Sequence, residues 1–167
     1  MDTSGIMLFA KTLQAAVNLR KQFENHTVRK TYKARLSPQR IDRFSESTFE
    51  LEPGKTGTIS LALAPDYDER PRQKADRSQG KEALTEYEVT RKNSDGTIEI
   101  LFHPHTGRTH QLRVHSAHIS GLRHPIAGDL LYGGVKAPRL CLHALKITFD
   151  HPETGEGMTF SSDELCF

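Results

Sequence analysis

Hydrophobic and polar positions alternate in short segments along the chain, and this pattern predicts a protein rich in strands. Six segments have the alternating or continuously apolar pattern that is typical of strands, and they are residues 31–36, 58–63, 83–92, 97–102, 140–149 and 158–160. Asn93-Ser94-Asp95-Gly96 separates two of these segments, which predicts a hairpin. Residues 151–155 predict a second turn, between the last two segments.

Helical spacing is rarer along the chain and predicts few helices. Residues 13–25 predict an amphipathic helix that begins after the N-cap residue Thr12 and has Leu13 and Val17 on its apolar face. A second helix is predicted within residues 107–120, where a loop runs into a periodic segment.

Three further segments complete the predicted architecture. Residues 6–10 are a short apolar run that predicts a buried strand. Residues 39–56 are polar and predict a loop or small insertion, and residues 65–80 are charged and predict a long loop. Many strands and few helices predict an α+β fold with a mixed, mostly antiparallel sheet, in a single domain over residues 1–167.

Composition agrees with one globular domain. The chain has 167 residues, of which 35% are hydrophobic and 26% are charged. No apolar run approaches the roughly 20 residues of a membrane span, so no membrane partner is predicted. Cys141 and Cys166 are too few for a disulfide framework, which favours a reducing cytoplasm as the location.

The formal net charge of +2 conceals an uneven distribution of charge. Residues 18–40, 70–81 and 100–128 together hold 15 basic residues and two acids, Glu24 and Asp76, whereas the rest of the chain holds eight basic and 19 acidic residues. Such separation is typical of a protein that binds a polyanion, because lysine and arginine gain affinity by neutralising phosphates. Three solvated faces would have the same composition, and the charges alone leave both interpretations open.

Residues 103–115 carry the densest cluster of hydrogen-bond donors. Gly107 allows a sharp turn of the backbone, and the side chains that follow it are donors with no acid between them. The donors are Arg108, His110, Gln111 and Arg113. Their pattern predicts a site for an anion.

A metal site is the alternative interpretation of the same stretch. His110, His115 and His118 could belong to a histidine-based metallohydrolase. No carboxylate or cysteine within the stretch completes a ligand set, so no metal is predicted.

Tyr32 lies in a basic strand, close to Lys30 and Lys33. It is either an ordinary half-buried strand tyrosine or an aromatic platform for a nucleic-acid base, with the lysines contacting phosphates. The residues alone leave both interpretations open.

An ordered series of short motifs resembles the RluA family of pseudouridine synthases, from the first residue to the last. The motifs are Thr-Ser-Gly at 3–5, Lys-Thr-Tyr-Lys-Ala at 30–34, Arg-Pro-Arg-Gln at 70–73, Gly-Lys at 80–81, Thr-Glu-Tyr-Glu-Val at 85–89, Thr-Gly-Arg-Thr-His-Gln-Leu-Arg-Val-His at 106–115, Pro-Ile-Ala-Gly-Asp at 125–129, Leu-His-Ala at 142–144 and His-Pro at 151–152. A single motif of this kind is weak evidence, whereas the whole series in this order is specific.

The resemblance implies the pseudouridine synthase catalytic fold and an enzyme that isomerises uridine to pseudouridine in ribosomal RNA or tRNA. It implies neither a metal nor an organic cofactor. Tyr32 matches the tyrosine to which the family assigns packing on the base and a part in removing the C5 proton, and Arg113 matches the arginine that pairs with the catalytic aspartate. The residues expected to contact RNA are Lys30, Lys33, Arg70, Arg72, Lys81, Arg108, His110 and Gln111.

The nucleophile is the point at which this sequence departs from the family motif. That motif is His-Arg-Leu-Asp-x-x-Thr-Ser-Gly, and its threonine corresponds to Thr3, so the catalytic aspartate is expected before Met1. The catalytic domain is therefore expected to be incomplete at its N-terminus. Asp2 occupies a variable position, offset by about 7 Å along a strand, and is not expected to be the nucleophile.

Two hypotheses about function remain beside the metallohydrolase. The first is an RluA-type synthase in which this chain is the C-terminal part of the catalytic domain and has little activity alone. The second is a catalytically silent RNA-binding module, which needs no nucleophile. No residue indicates the oligomeric state or the particular uridine that is modified.

Overall fold

The computed structural model describes residues 3–38, 50–163 and 167. Its helices and strands, in chain order, are β1 (Ser4–Gly5), α1 (Leu13–Glu24), β2 (Arg29–Leu36), β3 (Thr56–Pro65), β4 (Gln73–Ala75), β5 (Lys81–Lys92), β6 (Ile98–Pro104), α2 (Gln111–Ala117), a 3-10 helix (Leu130–Tyr132), β7 (Leu142–Asp150) and β8 (Gly157–Ser161). The predicted α+β class is confirmed.

The described strands form one mixed sheet in the order β1-β7-β2-β6-β5-β3-β4. The pairing of β1 with β7 is parallel, and the other pairs are antiparallel. β8 continues the same edge of β7, from Lys146 to Asp150. No helix in the described part of the chain is long and apolar enough to cross a membrane.

The β5–β6 hairpin forms where the local sequence predicts it. Gly96 has a φ of +79° in the turn, and Asp95 Oδ1 accepts a hydrogen bond of 2.9 Å from the Thr97 amide. Buried and less buried residues alternate along β6, as expected for a strand with one face on a core. Ile100 and Phe102 are fully buried there and form the centre of the main core.

The prediction of a buried strand at residues 6–10 is wrong. Only Ser4 and Gly5 pair with β7, and Met7 and Phe9 are 73% and 75% exposed. The reason is that β8 occupies the edge of β7 from Lys146 onward, so after the Ile6 amide, which bonds to the Ala144 carbonyl, no free edge of β7 is left for this segment among the described residues.

The predicted position of the first helix is confirmed, but the prediction of its apolar face is wrong. The Thr12 side chain accepts a hydrogen bond from the Ala15 amide and caps the helix. Leu13 is 82% exposed, whereas Ala15 and Leu19 are buried. Leu19 contributes to a small core cluster between α1 and the sheet, so tertiary packing selected a different face from the one that the spacing predicted.

Two predicted loops differ from the structure in extent. The charged segment 65–80 contains β4, which pairs with the end of β3 as a short edge strand. The predicted loop at 39–56 falls mostly on residues 39–49, which lie outside the described residues.

Candidate active site

A cleft of about 400 Å³ opens where β2, the end of β6 and the start of α2 meet, and we call it the Tyr32 cleft. Six of the ten residues predicted to act on RNA line this cleft, and they are Lys30, Tyr32, Arg108, His110, Gln111 and Arg113. Phe23 of α1 and Thr3 also line it. Residues far apart in the sequence therefore converge on one concave surface.

Tyr32 is positioned by the centre of the sheet. It pairs with Phe102 on one side and with Ala144 on the other, and its side chain packs against the main core while remaining half-buried. Burial raises the pKa of the Tyr32 hydroxyl above its ordinary value. The phenol is therefore protonated at neutral pH, and its ring forms an apolar wall of the cleft.

Lys30 lies two residues before Tyr32 in β2, and its side chain reaches the same cleft. Its Nζ donates a hydrogen bond of 3.3 Å to the Thr106 carbonyl and lies 5.9 Å from the centre of the Phe23 ring. Burial lowers the pKa of Lys30 below its ordinary value. The cation is thus held at the wall of the cleft instead of extending into solvent.

Gln111 organises the turn that carries the donors. Its Oε1 accepts hydrogen bonds from the Thr106 hydroxyl at 2.8 Å and from the Arg108 amide at 2.9 Å. Its Nε2 donates to the Leu84 carbonyl at 3.0 Å and to the Thr85 hydroxyl at 2.9 Å. Both ends of this buried amide are therefore bonded to the protein, and they fix the 106–111 turn against β5.

Arg113 is held by a buried carboxylate. Its Nε and Nη2 donate hydrogen bonds of 2.7 and 2.6 Å to the two oxygens of Asp129, whose side chain is fully buried. The Asp129 carboxylate also accepts a bond of 3.3 Å from the Tyr132 amide and so caps the 3-10 helix. A bidentate pair of this kind fixes the direction of the guanidinium.

His110 extends this arrangement and is the N-cap residue of α2, with a left-handed φ of +54°. Arg113 Nη1 lies 3.0 Å from His110 Nε2, and because a guanidinium can only donate, Nε2 accepts and the ring proton is on Nδ1. Nδ1 in turn lies 2.9 Å from the Tyr132 hydroxyl. Burial, followed by the nearby Arg113 charge, lowers the pKa of His110, in agreement with a neutral ring.

Tyr132 connects this network to the charged segment 65–80. Its hydroxyl accepts a hydrogen bond of 2.8 Å from the Gln73 amide in β4. The guanidiniums of Arg72 and Arg113 lie 5.7 and 5.0 Å from the centre of its ring. The segment is therefore tied to Arg113 through one aromatic side chain.

Comparisons with known proteins identify the family of this chain. The family model described as RNA pseudouridylate synthase matches residues 1–118 of this chain. The dual-specificity RNA pseudouridine synthase RluA of Haemophilus ducreyi is 42% identical over 167 residues, which cover 98% of this chain and 70% of that protein. The RluA of Escherichia coli strain K12 is 38% identical over 97% of this chain and 69% of that protein.

The chain belongs to the RNA pseudouridylate synthase family. This family is one of isomerases, so the predicted enzyme class is confirmed. The solved structure of human RNA pseudouridylate synthase domain containing 1 is similar with a TM-score of 0.70 and 29% identity, over 93% of this chain and 62% of that chain. Human RNA pseudouridylate synthase domain containing 4, at 19% identity and a TM-score of 0.69, supports the fold alone.

Four residues with predicted RNA contacts do not line the cleft of this pseudouridylate synthase. Lys33 lies on the other face of β2, 3.4 Å from Glu99. Arg70 lies over the Tyr67 ring, and Arg72 lies between Glu69 and Tyr132. Lys81 is exposed at the start of β5. Their contacts with RNA stay predictions.

The sequence does not predict two residues that contact Arg113 in the structure, namely Asp129 and Tyr132. Asp129 ends the Pro-Ile-Ala-Gly-Asp motif, and the sequence alone gives it no role. A usable signal exists, because Asp129 is the first acid after residues 100–128, which contain none. A lone carboxylate that follows a basic segment is a candidate partner for one of its arginines.

The histidine stretch gives no support to a metal site. Among the described ranges 3–38, 50–163 and 167, no group of three His, Cys, Asp or Glu side chains is arranged to hold a metal ion. His115 is instead fully buried in the protein, and burial lowers its pKa to about 4. His110 is engaged with Arg113 and Tyr132.

Proposed function

We propose that this chain is an RNA pseudouridine synthase domain that binds ribosomal RNA or tRNA and receives the target uridine in the Tyr32 cleft. The observation that carries the proposal is the convergence of two separate motifs of the family series on one cleft, with Lys30 and Tyr32 from the first and Arg113 from the second. A uridine reaches such a cleft by leaving its stack in the RNA.

In this proposal Tyr32 acts as the surface on which the uracil ring packs. Its backbone is paired with β6 and β7 and its ring packs against the main core, so little conformational freedom is lost when the base binds. Because burial raises the pKa of the Tyr32 hydroxyl, packing is the role that its surroundings support at neutral pH.

Arg113 is proposed to orient the nucleophilic aspartate of the reaction. A guanidinium has five N–H donors and can hold two carboxylates at the same time, so pairing with Asp129 is compatible with this role. The resemblance places the nucleophile three residues before Thr3, and Thr3 lines the cleft. Asp2 lies outside the described residues.

The roles proposed for the remaining cleft residues differ. Arg108 is exposed and donates through Nε to the Glu82 carbonyl at 3.0 Å, which leaves it at the rim, where RNA phosphates would pass. Gln111 is proposed to position Arg108, since both ends of its amide are bonded to the protein.

A catalytically silent RNA-binding module is the second candidate. The observation that favours it is that no carboxylate occurs among the described residues that line the cleft. Formation of pseudouridine separates the two candidates, because isomerisation releases the hydrogen at C5 of the uracil. Tritium release from RNA labelled at uridine C5, by this chain or by the chain extended with His-Arg-Leu-Asp before Met1, supports the enzyme. Stoichiometric binding without release by both proteins supports the silent module.

The RNA-binding part of the proposal is tested with fluorescently labelled tRNA and a ribosomal RNA fragment. We expect affinity that falls steeply with salt, and a loss of about tenfold on Tyr32→Ala, because a base loses its stacking partner. Tyr32→Phe keeps the ring and is the matched control, which should bind like the unchanged protein. Undetectable or salt-insensitive binding would contradict the proposal.

A further inference from the structure

A second cleft, of about 480 Å³, adjoins the Tyr32 cleft and shares Lys30 and Pro104 with it as walls. We call it the back-face cleft. Thr31, which lines it, lies between Lys30 and Tyr32 in β2, and successive strand residues point to opposite faces of a sheet. The two clefts are therefore neighbours across the end of one strand.

The back-face cleft is built from residues that pair across strands. Thr31 pairs with Lys146, and Arg29 pairs with Thr148, along the β2–β7 register. The Thr31 hydroxyl lies 3.2 Å from Nδ1 of His103 in β6. Cationic and hydroxyl side chains thus lie side by side on strands, which hold them more precisely than loops would.

The side of this cleft that β2 and β7 form is positively charged. Arg29 and Lys146 are exposed, and among the described residues no carboxylate forms an ion pair with either of them. Glu86 is the acid in the described lining, and it lies 3.3 Å from His105 on the opposite side. Two exposed cations beside hydroxyl groups are suited to phosphate oxygens.

The composition of the lining distinguishes the two clefts. The Tyr32 cleft contains Tyr32 and Phe23, whereas no Phe, Tyr or Trp occurs among the described residues of the back-face cleft. Phe and Tyr are common stacking surfaces for bases, whereas the rings of the back-face cleft are those of three histidines, which can also contact phosphate and sugar. The back-face cleft therefore suits the backbone of a nucleic acid better than its bases.

We propose that the back-face cleft binds phosphates of the RNA strand that flank the nucleotide in the Tyr32 cleft, through Arg29 and Lys146. This inference rests on the proposed function and adds a second contact site to it. Contacts of this kind position the RNA without reading its sequence, so they should contribute equally to binding of different RNAs.

The test is a salt titration of binding to a fluorescein-labelled single-stranded oligoribonucleotide with one central uridine. For single strands the slope of log affinity against log salt is about −0.7 per phosphate neutralised. The double variant Arg29→Ala with Lys146→Ala should therefore have a slope shallower by about 1.4 and weaker binding at low salt. Arg91→Ala with Lys92→Ala removes the same charge at the far end of β5 and should leave the slope unchanged.

The outcomes separate this inference from the proposed function. If the unchanged protein binds and both double variants have the same slope, the back-face cleft is not a phosphate site, and the proposed function stands. If the unchanged protein binds no RNA, both proposals are overturned. A shallower slope in the Arg29 and Lys146 variant alone supports both.

A measurement on the unchanged protein makes the test independent of how the variants fold. Acetylation of lysines by an amine-reactive ester, followed by mass spectrometry, measures how accessible each amine is. RNA at saturating concentration should slow acetylation of Lys146 at least as much as that of Lys81, and should leave Lys92 unchanged. Equal acetylation of Lys146 with and without RNA would overturn the inference.

Discussion

Arg113 and Asp129 are joined by two hydrogen bonds, from Nε to Oδ2 at 2.7 Å and from Nη2 to Oδ1 at 2.6 Å. The Asp129 side chain is fully buried, and that of Arg113 is 19% exposed. This pair ties α2 to the segment that leads into the 3-10 helix. The same contact therefore fixes a side chain of the Tyr32 cleft and stabilises the fold.

Removing the charge of Asp129 should destabilise the protein strongly. Asp129→Asn leaves the largely buried Arg113 without its carboxylate, and loss of one partner of a buried pair costs about 3 kcal/mol or more of unfolding free energy. Urea denaturation measures this loss. Glu24→Gln breaks the exposed pair with Arg20 and is the control, which should change stability little. A loss equal to that of the control would contradict the prediction.

Acid should destabilise the protein through His115. Burial lowers the pKa of His115 from 6.5 to about 4 in the folded state, so between these values the unfolded chain binds more protons than the folded one. The contribution of this ring to the unfolding free energy is fully present above pH 6.5. It is lost as the pH falls toward 4, and the total loss is about 3 kcal/mol. His110 and His118, whose pKa values are also lowered by burial, act in the same direction.

The variant that checks this assignment is His115→Leu, which removes the titrating ring and keeps an apolar side chain. Urea denaturation between pH 8 and pH 4.5 should give a smaller loss of stability for the variant than for the unchanged protein. The comparison at pH 8 serves as the reference, because the ring is neutral there in both states. An identical pH dependence in the two proteins would mean that groups other than His115 cause the loss of stability in acid.

Local sequence chemistry accounts for the parts of the fold that were predicted well. The β5–β6 hairpin depends on a turn whose residues are contiguous, and the start of α1 depends on Thr12 and the amide three residues later. The strand expected at residues 6–10 depends on a distant competitor, since β8 occupies the edge of β7. Nothing within the residues 6–10 indicates that competition.

The residues of the candidate site also divide into those that local motifs identify and those whose contacts are distant in the sequence. Lys30, Tyr32 and Arg108 were identified through motifs, and the structure brings them into one cleft. Tyr132 was missed because its contacts are long-range: 59 residues separate it from Gln73 and 22 separate it from His110. Periodicity and composition report on neighbours along the chain, so contacts of this range are invisible to them.

Gln111 should affect stability and RNA binding together. Gln111→Leu removes four hydrogen bonds and leaves the Arg108 amide and the Leu84 carbonyl without this partner, with an expected loss of about 3 kcal/mol. Thermal unfolding measures the loss, and the salt titration measures RNA affinity. If Gln111 contacted RNA directly instead of positioning the turn, affinity would fall while stability stayed unchanged.

The hydroxyl of Tyr132 should control how firmly the segment containing β4 is held. Tyr132→Phe keeps the ring beside Arg72 and Arg113 but removes the hydroxyl that bonds to the Gln73 amide and to His110 Nδ1, and each of these bonds is worth about 1 kcal/mol. Hydrogen exchange followed by mass spectrometry should therefore find faster exchange in residues 66–80, with β2 and β6 unchanged.

Tyr87→Phe is the matched control for this experiment, because it removes a hydroxyl from β5 without touching the network of Arg113. It should leave exchange in residues 66–80 as it is in the unchanged protein. Faster exchange in both variants would indicate general loosening of the sheet. Unchanged exchange in Tyr132→Phe would mean that other contacts, such as the pairing of β4 with β3, hold β4 without this hydroxyl. The Tyr132 hydroxyl would then have no part in fixing the basic segment beside the cleft.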